Sequence, residues 1–385
     1  MKNRQYYEEE LIKLRRFFHQ YPELSLKEVK TSAYITEYLK NLGYEITQVP
    51  PTGLWADLPA HKEKEKKVVL RAEMDGLPIQ EKTGLPYASL HEGCMHACGH
   101  DAILAVALVM AKIAAEEGAD FPVGIRFLFE PAEETGEGAR RMVEAGALDD
   151  PKTDAFLMFH FAGDQSLGMA VHEGQASAMI GGMQIHIHGK SSHWCEAHKG
   201  IDSIYAASLV IGAVHDLNVS YQGQAPCLVG IGSVHGGEYS NIIADHVVLG
   251  GNIRACREAD YNRLKEELEI AFGGIERKTG TRIEMVFPKE PVLSFENDSA
   301  LTRLAADAGR KVFGDRFFLE GEDELFLSGD NAYRYFQRTR GVFPVFLAGI
   351  PGEDHPLHHP EFQLDERILP LSLEALYEII HSIGK

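Results

Sequence analysis

The chain has 385 residues, of which 44% are hydrophobic and 25% charged, a composition typical of globular proteins that excludes a largely disordered chain. The formal net charge is -19 and no basic stripe is present, which excludes nucleic acid as a partner. Five cysteines in so long a chain do not indicate a disulfide framework and fit a reducing, cytoplasmic location.

The first part of the chain is predicted to alternate helices and strands. Helical spacing covers residues 6–42 with a break at YPELS, and this charged segment lacks the apolar core of a signal peptide. The next predicted elements are a strand at 68–74, a helix at 102–116, a strand at 123–130, a helix at 137–145 and a strand at 155–161. This alternation predicts an α/β fold with a mainly parallel sheet flanked by helices. The longest apolar run is too short to span a bilayer, so no membrane contact is expected.

The pattern changes after about residue 178, where a second unit is predicted. Its first strand, GGMQIHIHG, alternates apolar and polar side chains, so His186 and His188 are expected on one exposed face. Two helices and three further strands complete a unit that resembles a ferredoxin-like α+β layer. A chain of this length is expected to form more than one domain. We therefore predict an inserted domain at 179–289, within a larger domain formed by 1–178 and 290–385.

Cys98 and His100 lie two residues apart, just before the apolar helix. In an extended segment this spacing places both side chains on one side of the chain. The pair is predicted at a strand-to-helix junction, where ligands gather in parallel sheets. A thiolate with an imidazole suits zinc, cobalt or nickel. On its own, the pair is equally compatible with a buried cysteine near a surface histidine.

Two adjacent carboxylates, Glu133 and Glu134, follow the predicted strand that ends at Glu130. Because neighbouring side chains diverge, one glutamate can bind a cation while the other points at a water molecule. That division supplies both a ligand and a general base for metal-assisted hydrolysis. The alternative is an acidic first helical turn, which the helix dipole favours. It does not explain why the carboxylates occur together with Cys98 and His100.

Further candidate ligands lie on other segments. His160 is predicted at the end of the strand at 155–161, at the same sheet edge, although a lone histidine is more often a core residue. Glu73 and Asp75 follow the strand at 68–74 and either orient ligands or simply end the strand. The sequence EDHPLHHPEF is either a solvated loop or the source of a distant ligand, and it contains His355, His358 and His359.

Six segments occur in the order, and at roughly the intervals, of a known family: LRAEMDGLPI, MHACGHD, EPAEE followed by GARRMVEAG, SSHWCEAHKGIDSI, NIIADHVVLGGNIRA and LHHPEFQLDE. Over nearly its whole length the chain resembles the aminoacylase/carboxypeptidase metallopeptidase family. The branch that it resembles contains hippurate hydrolases, auxin-conjugate (indole-acetyl-amino-acid) hydrolases and N-acetyl-diaminopimelate deacetylases. Six ordered motifs are far more specific than any one of them.

The resemblance implies a metal-dependent amidohydrolase that cleaves N-acyl amino acids with two divalent cations per subunit, which would be zinc, manganese, nickel or cobalt. Glu133 would be the general base. The resemblance also implies a homodimer formed through the inserted domain, in which His193 would reach the partner's active site. Asn241 and Arg254 match positions that contact the oxyanion and the substrate carboxylate. Five residues at the family's motif positions would be metal ligands: Cys98, His100, Glu134, His160 and His358.

The chain also departs from the family's pattern. Ile103 replaces the second histidine of GHDxH, Glu73 replaces an aspartate, and Trp194 and Cys195 stand where small residues are usual. The segment LSGDNAYRYF, at 327–336, replaces the customary SEDF. All expected ligands are retained, so hydrolysis is expected while substrate choice stays open. The alternatives are a metallo-dipeptidase or carboxypeptidase, and a non-catalytic protein that binds amino-acid conjugates, which would need no general base.

Overall fold

A computed structural model describes residues 5–150, 152–163, 166–321, 327–353 and 355–385. The described residues form two compact units. The first unit contains those within Met1–Ala176, Glu296–Glu322 and Asn331–Lys385, so both ends of the chain contribute to it. The second unit contains those within Ser177–Phe295 and Asp323–Asp330.

The helices and strands are numbered along the whole chain. The helices are α1 (Gln5–Gln20), α2 (Val29–Asn41), α3 (His100–Glu117), α4 (Gly138–Glu144), α5 (Ser203–Ser220), α6 (Glu258–Thr279), α7 (Ser299–Phe313), α8 (Tyr333–Phe336) and α9 (Ile368–Ile383). The strands are β1 (Glu45–Val49), β2 (Gly53–Asp57), β3 (Lys67–Glu73), β4 (Gly124–Glu130), β5 (Ala155–Leu157), β6 (His160–Ala162), β7 (Ser166–His172), β8 (Met179–His188), β9 (Ser192–His193), β10 (Cys227–Gly236), β11 (Ile242–Ile243), β12 (His246–Ala255), β13 (Arg282–Val286), β14 (Phe317–Glu320), β15 (Gly341–Val342) and β16 (Pro344–Ala348).

The first unit is organised around a sheet of order β1-β2-β4-β3-β5-β15. Strand β3 is parallel to β4 and β5, and β15 is parallel to β5, while β1 and β2 pair in antiparallel fashion. Helix α3 is apolar on nearly every side and lies in the core, as such a helix must. These features confirm the predicted α/β fold. Because β3 and β4 are parallel and pair Glu73 with Glu130, the segments that follow them begin at one sheet edge.

The predicted strand at 155–161 is in fact two strands in different sheets. Strand β5 belongs to the six-stranded sheet, whereas β6 pairs in parallel with β16 in a sheet of order β14-β7-β16-β6. Met158 and Phe159 connect them and are fully buried. His160 therefore begins a strand and does not end one. An unbroken apolar run cannot show where the chain passes between two buried sheets, which is why the sequence pattern did not resolve this break.

The second unit contains an antiparallel sheet of order β10-β12-β8-β13. Together with α5 and α6 its elements follow the order β-α-β-β-α-β, which is the ferredoxin-like arrangement. Apolar side chains of β8, such as Ile185 and Ile187, are buried with those of both helices. The intervening side chains of β8 lie on the opposite face, which the helices leave open.

The observed bounds of the second unit, 177 and 295, differ from the predicted 179 and 289, and residues 327–330 also belong to it. Two hydrogen bonds attach residues 327–330 to this unit. Ala178 donates its backbone N–H to the carbonyl of Ser328 at 2.7 Å, and Arg254 donates to the carbonyl of Leu327 at 2.9 Å. Among the described residues of both units, no helix has the length and apolar character needed to cross a bilayer.

Candidate metal centre

Cys98 and His100 meet across a turn and not along an extended segment. Cys98 lies in the turn, and His100 is the first residue of α3. Between them Gly99 has a φ of 81°, in the left-handed region that side chains other than glycine rarely adopt. The extended conformation predicted for this segment is therefore wrong, but the expected convergence is present. Ligand atoms of Cys98, His100 and His160 all lie within 4.8 Å of one another.

Asp75, which follows β3, connects the segments that carry the candidate ligands. Its two carboxylate oxygens accept hydrogen bonds from the backbone N–H groups of Glu133 and Glu134, each at 3.1 Å. Its backbone carbonyl accepts from His100 Nδ1 at 2.9 Å. Burial acts to raise the pKa of Asp75, but the hydrogen bonds from His100 and Ser25 hold that pKa below its ordinary value. An ionised Asp75 therefore orients both the glutamates and His100.

The turn before the glutamates is held by a residue that the sequence motifs did not indicate. Ala132 has a φ of 52°, which is unfavourable for a residue with a side chain. Its N–H donates to the carboxylate of Glu28 at 2.8 Å, and the hydroxyl of Thr52 donates to the same carboxylate at 2.6 Å. Burial raises the pKa of Glu28. This buried carboxylate fixes the direction in which Glu133 and Glu134 leave β4.

The candidate ligands form two groups that share one sulfur atom. Cys98 Sγ lies 3.5 Å from His160 Nε2 and 3.3 Å from His358 Nε2, and His358 Nε2 lies 3.5 Å from Glu134 Oε1. One group is Cys98 with His100 and His160, and the other is Cys98 with Glu134 and His358. Two nitrogen or sulfur ligands of one tetrahedral zinc ion are about 3.3–3.6 Å apart, given bond lengths of about 2.0–2.3 Å. The separations thus fit shared coordination of cations.

Hydrogen bonds orient the histidine rings for ligation. His100 donates from Nδ1 to the Asp75 carbonyl, and His160 donates from Nδ1 to the Phe161 carbonyl at 2.8 Å. Because Nδ1 of each ring is held by a backbone carbonyl, Nε2 is the ring nitrogen left to bind a cation. His100 Nε2 is buried and makes no hydrogen bond of sound geometry among the described residues. The donor set therefore fits a divalent cation of borderline softness.

The sulfur at the centre of the cluster needs positive charge in order to ionise. Burial raises the pKa of Cys98 to about 12, and the charges of Glu134 and Glu133 act in the same direction, while His100 opposes them only in part. A nearby divalent cation reverses this balance, because metal coordination deprotonates a thiol. Cys98 therefore suits a metal site better than a reactive free thiol.

A charged network lies beneath the glutamates and was not predicted. Arg71, which is fully buried, pairs with Glu73 at 2.6 Å and with Glu130 at 2.7 Å. It also donates to Asn331 Oδ1 at 2.9 Å, and the Asn331 amide lies 3.5 Å from the carbonyl of Glu133. The network joins the carboxyl ends of β3 and β4 to the segment before α8. Glu73 is therefore part of the support and not of the ligand groups.

Three candidate residues belong to the second unit. His193 is paired with Ile242 in the β9–β11 ribbon, and its Nδ1 accepts a hydrogen bond from the Cys195 N–H at 3.2 Å. The carbonyl of Asn241 accepts from the Trp194 N–H at 3.1 Å. Arg254 lies on β12 and donates through Nε to Asn252 at 3.0 Å. His193 and Asn241 therefore lie close together at the β9–β11 ribbon, whereas Arg254 lies on the four-stranded sheet of the same unit.

Glu133 lies beside both groups that share Cys98 without belonging to either, although its carboxylate is within 4.8 Å of ligand atoms of His100 and Glu134. A carboxylate beside candidate cation ligands on an α/β scaffold is the arrangement that a metal-dependent hydrolase needs. The chain belongs to peptidase family M20/M25/M40, whose profile matches residues 69–382.

Similar proteins agree with this assignment. The chain is 35% identical over 380 residues to an N-acetyl-L-cysteine deacetylase of Bacillus subtilis strain 168, covering 96% of this chain and 87% of that protein. It is 30% identical over 385 residues to an N-acetyldiaminopimelate deacetylase of Listeria monocytogenes, covering 97% and 99%. A Bacillus subtilis structure described as a dinuclear metal binding peptidase from the M20 family shares 30% identity and a TM-score of 0.81, covering 98% and 99%.

These findings confirm the family resemblance and the predicted activity. The chain is an amide-bond hydrolase that depends on divalent metal ions and acts on small N-acyl amino acids. The assignment of individual residues to steps of the reaction goes further and is argued as a proposal.

Proposed function

We propose that the chain hydrolyses N-acyl amino acids at a dinuclear centre whose two cation sites would share Cys98 as a ligand residue. His100 and His160 would complete one cation site, and Glu134 and His358 the other. The observation that carries this proposal is the pair of ligand groups with Cys98 in common. A thiolate, imidazoles and a carboxylate favour zinc, manganese, nickel or cobalt over calcium or magnesium.

The cations and the residues around them would have separate roles in hydrolysis. Bound divalent cations would lower the pKa of a water molecule and polarise the amide carbonyl. Glu133 would take a proton from the attacking water and pass it to the leaving amine nitrogen. Its backbone N–H is held by Asp75, and its carbonyl lies against Asn331, so its position is fixed on two sides.

The second unit would bind the substrate. Because His193 Nδ1 accepts a backbone N–H, the neutral ring carries its proton on Nε2 and can donate to an oxyanion. We propose that this donor acts in the partner subunit's active site, together with Asn241. Arg254 would bind the amino-acid carboxylate, a role suited to its planar guanidinium. In its contacts to Asn252 and Leu327, Arg254 donates through Nε and Nη1 respectively.

We further propose a cytoplasmic homodimer formed through the second unit. Helix α5 exposes a row of large apolar side chains, namely Ile204, Tyr205, Ile211 and Val219. Such a row is costly to leave in water and is typical of a surface that another subunit covers. The five cysteines are free thiols, and Cys195 is exposed, which favours a reducing compartment.

The relatives' names point to acetyl as the acyl group, since both the N-acetyl-L-cysteine deacetylase and the N-acetyldiaminopimelate deacetylase are named for its removal. The test is incubation of metal-reconstituted protein with a library of N-acetyl amino acids, N-benzoyl amino acids and dipeptides, followed by mass spectrometry. We expect acetate and amino acids to be released. Cleavage of dipeptides alone would indicate a metallo-dipeptidase, and binding without turnover would indicate a non-catalytic protein.

Replacing the shared sulfur should weaken both cation sites. We expect Cys98→Ala to lower the affinity for each of two cations by more than about tenfold, since ligand loss should exceed the effect of losing a supporting contact. The matched control is His160→Ala, which should weaken only one site. Bound metal is measured by elemental analysis after dialysis against buffered metal. Two unchanged equivalents in Cys98→Ala would contradict a shared thiolate.

Catalysis across the dimer can be tested by mixing inactive chains. Equal amounts of His193→Ala and Glu133→Gln protein should regain about a quarter of wild-type activity after subunit exchange, because half of the two-fold dimers are mixed and each has one complete site. Each variant alone should stay nearly inactive. The exchanged dimers are verified by native mass spectrometry, and no recovery in them would place the whole site in one chain.

A further inference from the structure

We propose that the open sheet face of the second unit carries a separate transition-metal site formed by His186, His188 and His246. These residues are not part of the dinuclear centre or of the substrate contacts. The chemical class of the ligand is a borderline divalent cation such as zinc, nickel or copper(II). The proposal does not depend on the function assigned to the dinuclear centre.

Strand register places the three imidazoles on one face. His188 on β8 pairs directly with His246 on β12, and His186 precedes His188 by two residues. Residues two apart on a strand, and residues paired across two strands, point to the same side of a sheet. The neighbouring residues Ile185 and Ile187 on β8 are buried against the helices. The histidines therefore lie on the uncovered side, where His246 is exposed and the other two are partly exposed.

The distances between the rings suit ligation. His186 Nδ1 and His246 Nε2 are 3.4 Å apart, and two nitrogen ligands of a tetrahedral zinc ion are separated by about 3.3 Å at bond lengths of about 2.0–2.1 Å. The His188 ring lies 4.8 Å from the His246 ring and 6.2 Å from the His186 ring, centre to centre. A rotation of this partly exposed ring about its side-chain bonds would bring a nitrogen to the same cation. Water would occupy the fourth position.

The three rings have lone pairs available for a metal. Apart from the contact between His186 and His246, no hydrogen bond of these rings to another group is present among the described residues. Neutral imidazole is the form that binds transition metals.

The neighbouring strand balances the charge next to the cluster. On β13, Arg282 pairs with His188 and Glu284 pairs with His186. Arg282 Nη1 also donates a hydrogen bond to Glu284 Oε2 at 3.1 Å, so a carboxylate compensates the guanidinium charge beside the histidines. This contact limits the repulsion that a bare arginine would exert on a divalent ion. A bound ion would link the side chains of β8 and β12, in addition to the backbone hydrogen bonds that already pair these strands.

The test compares zinc binding by the full-length Cys98→Ala protein and by the same protein with His186→Gln and His246→Gln added. The Cys98→Ala background weakens the dinuclear centre, so zinc held on the sheet can be counted separately. Equilibrium dialysis should show one fewer zinc ion per chain in the added double variant, and no binding of Mg2+ by the sheet site in either protein. Adding the two substitutions to the wild-type chain should leave hydrolysis unchanged at saturating metal.

The matched control is His215→Gln. His215 is exposed on α5, one of the two helices whose apolar side chains pack against the other face of the sheet. This control should keep the full zinc equivalent. Equal zinc content in all proteins would overturn the proposal, and so would equal losses in the control, because they would show only scattered surface binding. Should the double variant fail to fold, His188→Gln alone should lower zinc affinity by at least about tenfold.

Discussion

Glu133→Gln is expected to lower kcat by about 10²–10⁴-fold, the usual range for loss of a general base, while leaving the bound metal unchanged. The amide keeps the size of the side chain but cannot accept a proton from water. It also leaves the backbone N–H of residue 133 available to Asp75, so the turn is expected to keep its shape. Steady-state kinetics and elemental analysis on the same preparation measure both effects.

The adjacent glutamate provides the matched control. Glu134 shares the turn and the Asp75 anchor, but its Oε1 lies 3.5 Å from His358 Nε2 and it belongs to a group with Cys98. Glu134→Gln should therefore lower metal content as well as activity. Near-normal turnover in Glu133→Gln would remove this residue as the base. Metal loss of equal size in both variants would show that the two carboxylates do not have separate roles.

Much of the site could be predicted because the candidate ligands are residue types with few other uses in such patterns. Cys98 lies just before α3, His100 begins it and Glu134 follows β4, and hydrophobic periodicity locates those elements well. The family resemblance supplied His160 and His358, which neither spacing nor composition could assign. The structure brings all five close together.

What could not be predicted depends on contacts between residues far apart in the chain. Glu28 precedes α2 and reads as an ordinary surface residue, yet it is buried and holds Ala132. Arg71 lies in an apolar strand, where its role depends on Glu130 and Asn331. No local pattern records such pairings, because burial and charge compensation arise only after the chain has folded.

Backbone strain at the centre was equally invisible in the sequence. Ala132 and His358 have φ values of 52° and 68°, a region that costs residues other than glycine about 1–3 kcal/mol. His358 is held there by its N–H, which donates to the Ala97 carbonyl at 2.8 Å, next to Cys98. Each unusual conformation directs a candidate ligand or the residues beside it. The surrounding hydrogen bonds thus preorganise the donor atoms before any cation binds.

A second buried charge network supports the start of α3, directly after His100. Asp101 accepts a hydrogen bond from Arg15 Nε at 3.0 Å and contacts His19 Nδ1 at 2.8 Å, and all three side chains are about 1% exposed. Burial acts to raise the pKa of Asp101, but the charges of Arg15 and His19 outweigh it and hold that pKa far below its ordinary value. The network fixes α1 against α3, the helix that begins with the candidate ligand His100.

Asp101→Asn should therefore destabilise the protein by about 1.5–3 kcal/mol at pH 7, because it removes one of the two carboxylates that compensate the buried Arg15, the other being Glu366. Urea unfolding of the metal-free proteins measures this, with Asp307→Asn as the control. Asp307 pairs with Arg310 on the surface, where such pairs contribute less than about 1 kcal/mol. Since the folded pKa of Asp101 is depressed, its contribution is complete above the unfolded value of about 3.9 and is lost as the pH falls through the folded pKa. The difference between wild type and Asp101→Asn should accordingly begin to shrink below about pH 4, and equal stability at pH 7 would contradict this role.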